Sequence, residues 1–378
     1  MSLRQNHNKM TDDVPNNRSQ AVLAAIIREY LTTGEPVGSR TLAERFAHAA
    51  GWSAATIRNV MGELEDAGLV VQPHTSAGRI PTDKGYRFYV DHLLEQAELT
   101  HDDQATLENF LPFSLMEGVR SPEWLMERAS QALSTLSDNV GIVISPAPSE
   151  NRLQHLEFFK LADHRILVVL VFVPNLVQHK LIHFDEDLPQ SELERTARYL
   201  NTEFNGKSLR AIRHSIIELM REEKALYDKL LRNAILLCES SLTGNADESG
   251  EVYVDGASNM LGKPEFTDAR QVRDLFRTFE EKSRLVKILS ECLGHDGFGL
   301  MNTVQVIIGR EHLAPSMQQC TLITMPYRLN PRDRQALGTV GVVGPMRLEY
   351  GRMMAMVQYT ARLLEQMLWH ESQSSGNS

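Results

Sequence analysis

Residues 53–87 read SAATIRNVMGELEDAGLVVQPHTSAGRIPTDKGYR, and the organisation of the first quarter of the chain follows from this stretch. Ser53 offers an N-cap hydroxyl, and Ile57, Met61 and Leu64 then fall on one face of a helix. Gly68 stands where a C′ glycine ends it. LVVQP predicts a strand, HTSAGRIP a glycine-containing loop, and Thr82 a cap for a last helix, DKGYRFYVDHLLEQ. Upstream, Arg18 to Leu31 (RSQAVLAAIIREYL) has apolar residues at helical spacing and stops at Thr-Thr-Gly. GEPVGSR makes a turn, and Ser39 caps a short helix, RTLAERF. Helix, turn, short helix, longer helix, strand and loop is the order of a winged helix-turn-helix.

In that arrangement the second helix of the pair enters the major groove, and its N-terminal residues meet base edges. Those residues are Ser53, Thr56, Ile57, Arg58 and Asn59. Arginine pairs bidentately with guanine and asparagine with adenine, while hydroxyls serve either base. Ser39 and Arg40, at the start of the shorter helix, suit phosphate. The loop His74-Thr75-Ser76-Ala77-Gly78-Arg79 suits a wing, with Arg79 expected at a minor groove or backbone and Lys84 and Arg87 extending a phosphate track. The same pattern occurs in proteins that never touch DNA, so pattern alone leaves both readings open.

The whole chain bounds the rest. Its 378 residues imply two or three domains. The opening MSLRQNHNKMTDDVPNN has no apolar stretch after its charges, so 1–17 is expected to be a disordered head, and the polar end 371–378 a disordered tail. No run of eighteen apolar residues suggests a membrane span. Cys238, Cys292 and Cys320 lack ligand spacing and read as reduced thiols of a cytosolic protein. Net charge is −10, yet residues 1–92 hold ten basic and ten acidic side chains, so the deficit lies downstream. A local basic point on an acidic protein serves DNA through geometry rather than bulk attraction.

Downstream, a helix starting at Ser121-Pro122 leads into the strand GIVIS. HLEFFKL, ILVVLVFV and LVQHKLIH follow as antiparallel strands split by ADHR and Pro174-Asn175. From Pro189 to about Ser240 the pattern is helical and charged. EVYVDG, the long helix DARQVRDLFRTFEEKSRLVKILSEC, the strands TVQVIIGRE, CTLITMPYRL and GTVGVVG, and a closing amphipathic helix complete the chain. The expected class is α+β, with one sheet domain interrupted by a helical insertion.

Enzymatic alternatives find little support. His179 and His183 stand four apart but in a strand, where they share a face as surface residues. GTVGVVG lacks dinucleotide-loop spacing, and His295-Asp296 has no nucleophile partner. Met353, Met354 and Met356 suit packing. No catalytic, cofactor or metal residues are assigned. A ligand-responsive regulator and a protein-binding scaffold remain as alternative classes.

TGEPVGSRTLA, ATIRNVMGELEDAGLV and above all PHTSAGRIPTDKGYR closely resemble the N-terminal domain of the HrcA heat-inducible transcription repressors. ASNMLGKPEF, VQVIIGRE and GTVGVVGPMRLEYGRMMAMVQY extend the resemblance to the last helix. The resemblance implies a winged helix-turn-helix (18–98), a GAF-like domain with an antiparallel sheet (105–187 and 269–370) and an inserted dimerising domain (188–268). It implies a cytoplasmic homodimer that represses chaperone operons at an inverted repeat in double-stranded DNA, with the chaperonin GroEL promoting the active state. The GAF-like domain as a small-molecule sensor is the alternative. Two departures stand out: Val60, where the family usually has aspartate, and AHAAGW between the two helices.

Overall fold

The computed structural model describes residues 15–46, 51–95, 97–112, 122–145, 152–173, 176–184, 188–208, 211–212, 214–215, 237, 250–281, 303–328 and 337–374. Residues 1–14 of the expected head, Pro174-Asn175, Cys238, Cys292, His295-Asp296, the last four residues and most of the charged block after Ser208 lie outside the described residues.

Three helices open the fold: α1 (Asn17–Thr33), α2 (Ser39–Phe46) and α3 (Ala54–Asp66). The Asn16 side chain accepts the Ser19 amide at 2.9 Å to start α1, and Gly34, at φ 72°, ends it. The helices bury Val22, Leu23, Ile26, Leu42, Ile57 and Leu64 against one another. A short ribbon follows, β1 (Val70–Val71) against β2 (Ile80–Pro81), so the end of the expected loop is a strand. Thr82 caps α4 (Asp83–Phe88) by accepting the Gly85 amide at 3.1 Å. The chain then widens into a π turn ending at Leu93, short of the expected Gln96. A helix the periodicity reading did not anticipate, α5 (His101–Phe110), is capped by Thr100 and carries Asp102 and Asp103 in its first turn. Its signal was present, but the helix is short and its apolar stripe is weak.

The main sheet is antiparallel, in the order β7-β3-β10-β9-β8: β3 (Val140–Ile144), β7 (Val252–Asp255), β8 (Gln305–Ile308), β9 (Cys320–Arg328) and β10 (Leu337–Pro345). Alternation gives it two apolar faces. Val143, Val340, Val342, Ile323 and Tyr327 join α6 (Pro122–Ser137) and α9 (Tyr350–Ser374). Ile142, Val343, Leu322 and Cys320 join Leu275 and Phe279 of α8 (Ala269–Glu280). GTVGVVG is therefore the interior of β10, buried on both sides, and α9 continues to Ser374, past the expected end of the fold at residue 370.

One expectation is corrected. The strands β4 (Arg152–Lys160), β5 (Arg165–Val173) and β6 (Leu176–His183) do not join β3 but form a separate three-stranded sheet, ordered β4-β5-β6. Helix α7 (Gln190–Phe204) covers one face of that sheet, and Leu156, Phe158, Val168 and Phe172 meet Leu193, Leu200 and Phe204 in a core of their own. Asn201 reads the backbone of Leu156, donating to its carbonyl at 2.9 Å and accepting its amide at 2.8 Å. Gln190 accepts from the Lys160 amide and donates to the Phe158 carbonyl. The edge strand is thus satisfied by a helix rather than by the main sheet. The chain leaves the main sheet after Ile144 and rejoins it at Val252, with β4–β6 and α7 between the two in sequence.

Arg352 of α9 meets Asp103 bidentately, at 3.0 and 2.9 Å, and Asp103 is almost covered. The hydrogen-bonded guanidinium holds the Asp103 carboxyl below the usual carboxylate range despite desolvation. The contribution is therefore complete above the unfolded-state value near 3.9 and is lost as pH falls through the lower folded-state value. Asp103→Asn is expected to cost about 1–2 kcal/mol near pH 6, discounted because Arg352 is partly exposed. The deficit should shrink as pH falls below about 4, as read from denaturant midpoints over an acid series starting at about pH 6.

Candidate nucleic-acid interface

Helix α3 is set by its cap and its inner face. The Ser53 hydroxyl accepts the Thr56 amide at 3.2 Å and lies 3.0 Å from the Thr56 hydroxyl. Ile57, Val60, Met61 and Leu64 are buried, so Val60, the departure from the family pattern, is a core residue. The opposite face presents Ala55, Arg58 and Asn59 to solvent. Arg58 and Asn59 make no side-chain hydrogen bond or ion pair to the described residues, so both are free to meet an external partner. Arg18 of α1 lies 5.4 Å from the Trp52 ring, and Phe46, ending α2, stacks on it at 4.9 Å. Of the AHAAGW segment, Gly51 and Trp52 are described, and Trp52 pins the start of α3 to both preceding helices. Nothing in the neighbouring sequence marks Trp52 for this role, since both of its partners come from other helices.

Ser39 is the first residue of α2 rather than its cap, and it is half-buried, while Arg40 beside it is exposed. The turn before α2 is tied to the ribbon: the Val37 amide donates to the Arg79 carbonyl and the Arg79 amide to the Val37 carbonyl, both at 2.9 Å. This places Ser39 and Arg40 close to the ribbon stem. At the ribbon tip His74, Thr75 and Ser76 are exposed, closed by an Ala77 amide to His74 carbonyl bond of 2.8 Å.

The basic residues beyond the tip are arranged otherwise than expected. Arg79 turns inward to Glu65, with Nη2 2.8 Å from the carboxylate and the side chain only 17% exposed. Lys84 donates to the Ala67 carbonyl at 3.1 Å, where a cation complements the C-terminus of α3. Arg87 faces away from the ribbon toward the main sheet. It pairs with both Glu311 oxygens at 2.8 and 2.6 Å, with Asp91 at 3.1 Å, and with the Val306 carbonyl. Arg79 and Arg87 are thus engaged by carboxylates, whereas Lys84 stays exposed beside the end of α3 with a single bond to a carbonyl. The exposed polar groups are Arg58 and Asn59 of α3, Arg40 of α2, Lys84 of α4 and the ribbon tip.

The other residues singled out in the sequence fall into structural places. His179 and His183 are exposed on β6, on the same face as Val177 and Leu181. Met353 and Met356 are buried in the core shared by α9 and the N-terminal helices. Cys320 is buried in β9, and desolvation pushes its thiol up to about 12. Among the described residues no helix is long and apolar enough to cross a membrane.

The family described as HrcA protein C terminal domain matches residues 123–354. The heat-inducible transcription repressor HrcA of Geobacter sulfurreducens is 41% identical over 351 residues, spanning 93% of this chain and 97% of that protein. Its counterpart from Syntrophobacter fumaroxidans is 37% identical over the same shares. A crystal structure of a hypothetical protein has the same fold, with a TM-score of 0.59 at 23% identity, covering 95% of this chain and 100% of that one.

Because Ser53 supplies a cap bond to the start of α3, Ser53→Ala should lower stability by about 1 kcal/mol, and Ser53→Asp should restore most of it. Arg87→Ala, which removes the bonds to Glu311, Asp91 and the Val306 carbonyl, should cost about 1–3 kcal/mol. Chemical denaturation of the full chain reads both.

Proposed function

The chain belongs to the HrcA family of heat-inducible transcription repressors, and we propose that it represses chaperone operons by binding an inverted-repeat operator in double-stranded DNA through a winged helix-turn-helix at 18–98. The observation that carries this is the free outer face of α3. Arg58 and Asn59 stand exposed and unpaired among the described residues, on a helix whose other face is wholly committed to the core. Thr56 and Ser53 close the N-terminal end of that helix. Ser39 and Arg40 flank it as phosphate-binding groups, and His74, Thr75 and Ser76 form the tip of the wing.

The five-stranded sheet with α6, α8 and α9 is read as the GAF-like domain, and 152–249 as the inserted dimerising unit. Two copies related by a twofold axis present two reading helices to a palindrome, with half-sites one helical turn apart roughly 34–36 Å from each other. The outer face of β4–β6 supports a contact between copies, because Phe159, Val177 and Leu181 are exposed there. A cytoplasmic location accords with this role, and GroEL is the partner proposed to promote the binding-competent fold. A shift of about 1.4 kcal/mol in that equilibrium changes the competent-to-incompetent ratio tenfold.

Fluorescence anisotropy on an inverted-repeat chaperone operator and a scrambled duplex, at two salt concentrations, tests the reading. The wild type should prefer the operator by at least about 10³-fold, and Arg58→Ala should lose about 1–3 kcal/mol of that preference. Equal binding to both duplexes, with chaperonin present, would sink the proposal.

A further inference from the structure

The ribbon that forms the wing is poorly held by its own ladder. Its strands are two residues each, pairing Val70 with Pro81 and Val71 with Ile80, and Pro81 has no amide to donate. An isolated two-stranded hairpin of this length does not hold one conformation in water. Something else must therefore define where the tip His74-Thr75-Ser76 stands relative to α3.

Glu65, on the last turn of α3, is placed to do this. One carboxylate oxygen accepts the Gln72 amide at 3.3 Å, on the outgoing stem of the ribbon. The other meets Arg79 Nη2 at 2.8 Å, on the returning stem. Gln72 then closes the tip from within, its side-chain amide donating to the Thr75 and Ala77 carbonyls at 3.0 Å each. Arg79 is fixed in turn by its paired backbone bonds to Val37, and Gly78 allows that approach, since a Cβ there would lie 2.3 Å from the Val37 carbonyl oxygen. A single carboxylate thus joins the C-terminal end of the helix to both stems, and the Val37 bridge joins the same ribbon to the start of α2.

Charge sharpens the point. A bare carboxylate beside the wing would repel DNA phosphate. Here the charge is met by a guanidinium that is itself mostly covered. Resting on the winged-helix reading above, we infer that Glu65 is a positioning residue for DNA recognition, setting the wing against the reading helix, and that Arg79 is its counter-ion rather than a phosphate contact. The two assignments of Arg79 have opposite consequences. If Arg79 gripped phosphate, Glu65 would compete for it, and removing Glu65 would tighten binding. If the pair positions the wing, removing Glu65 weakens binding.

Hydrogen exchange on the full chain without DNA comes first, comparing wild type, Glu65→Ala, Glu65→Gln, Arg79→Ala and the Glu65→Ala/Arg79→Ala double variant. Peptides covering 72–79 should exchange roughly fivefold faster in Glu65→Ala and in Arg79→Ala. The double variant should exchange no faster than either single one, and α3 should be unchanged. Glu65→Gln, which keeps an acceptor for Gln72, should lie between. Unchanged exchange across 72–79 in Glu65→Ala overturns the positioning role whatever the DNA result. On the operator, Glu65→Ala should bind about fivefold more weakly, with the slope of log K against log salt unaltered in both single variants. Tighter binding by Glu65→Ala, with Arg79→Ala lowering that slope by about one, would make Arg79 a phosphate contact and overturn the inference while leaving the repressor reading intact. A wild type without operator preference would instead remove the repressor reading, and the exchange data would still decide whether Glu65 holds the ribbon.

Discussion

Tyr86 of α4 and Tyr350 of α9 lie with ring centroids 5.6 Å apart, and the apolar seam around them joins the N-terminal helices to the main sheet. A unit of this size buries a smaller fraction of its surface than a larger domain does. Here its core is continuous with that of the sheet domain, from Val22 and Leu64 through Tyr89 to Met353 and Val357. Polar ties border the seam on both sides. Arg347 reaches across the junction to the Leu31 carbonyl at the end of α1 at 3.2 Å and is held on its own side by Glu265 at 2.6 Å. The Asp83 carboxylate accepts the Arg310 amide at 2.9 Å. The orientation of α3 relative to the rest of the molecule is therefore a property of packing, since close-packed cores shift between discrete arrangements rather than deforming freely.

This seam also explains how the basic residues are used. Several cations of the N-terminal unit meet carboxylates. Arg87 is drawn to Glu311, Arg79 to Glu65 and Arg45 to Glu29. Arg58 on α3, Arg40 on α2 and Lys84 on α4 are exposed and have no carboxylate partner among the described residues. On the proposed reading, a face built this way gains little affinity from bulk charge and depends on shape and register, so the position of the ribbon matters more.

The three-stranded sheet with α7 follows the same logic of local satisfaction. Its strands are joined by short connections, its inner face is filled by α7, and its edge backbone is met by Asn201 and Gln190. It owes nothing to the main sheet for its core, so it behaves as a unit inserted between neighbouring strands β3 and β7.

Much of this was legible in the chain itself. Ser53, Thr82 and Gly68 at fixed offsets located α3 and α4, and periodicity with a stop at Thr-Thr-Gly located α1, because capping is local chemistry within four residues. Alternating apolar runs located nearly every strand, and the exposed positions of Arg58, Asn59 and His74–Ser76 followed from period and loop composition. What the chain alone could not decide was pairing. The apolar runs of β4–β6 look like those of β3 and β9, and nothing local says which sheet they join. Arg79, Lys84 and Arg87 are likewise basic residues near a wing until the fold brings Glu65, the Ala67 carbonyl and Glu311 within reach. Glu311 is 224 residues away in sequence from Arg87. Local geometry is written in neighbouring residues, whereas the partner of a strand or a charge is chosen by which distant surfaces the core brings together.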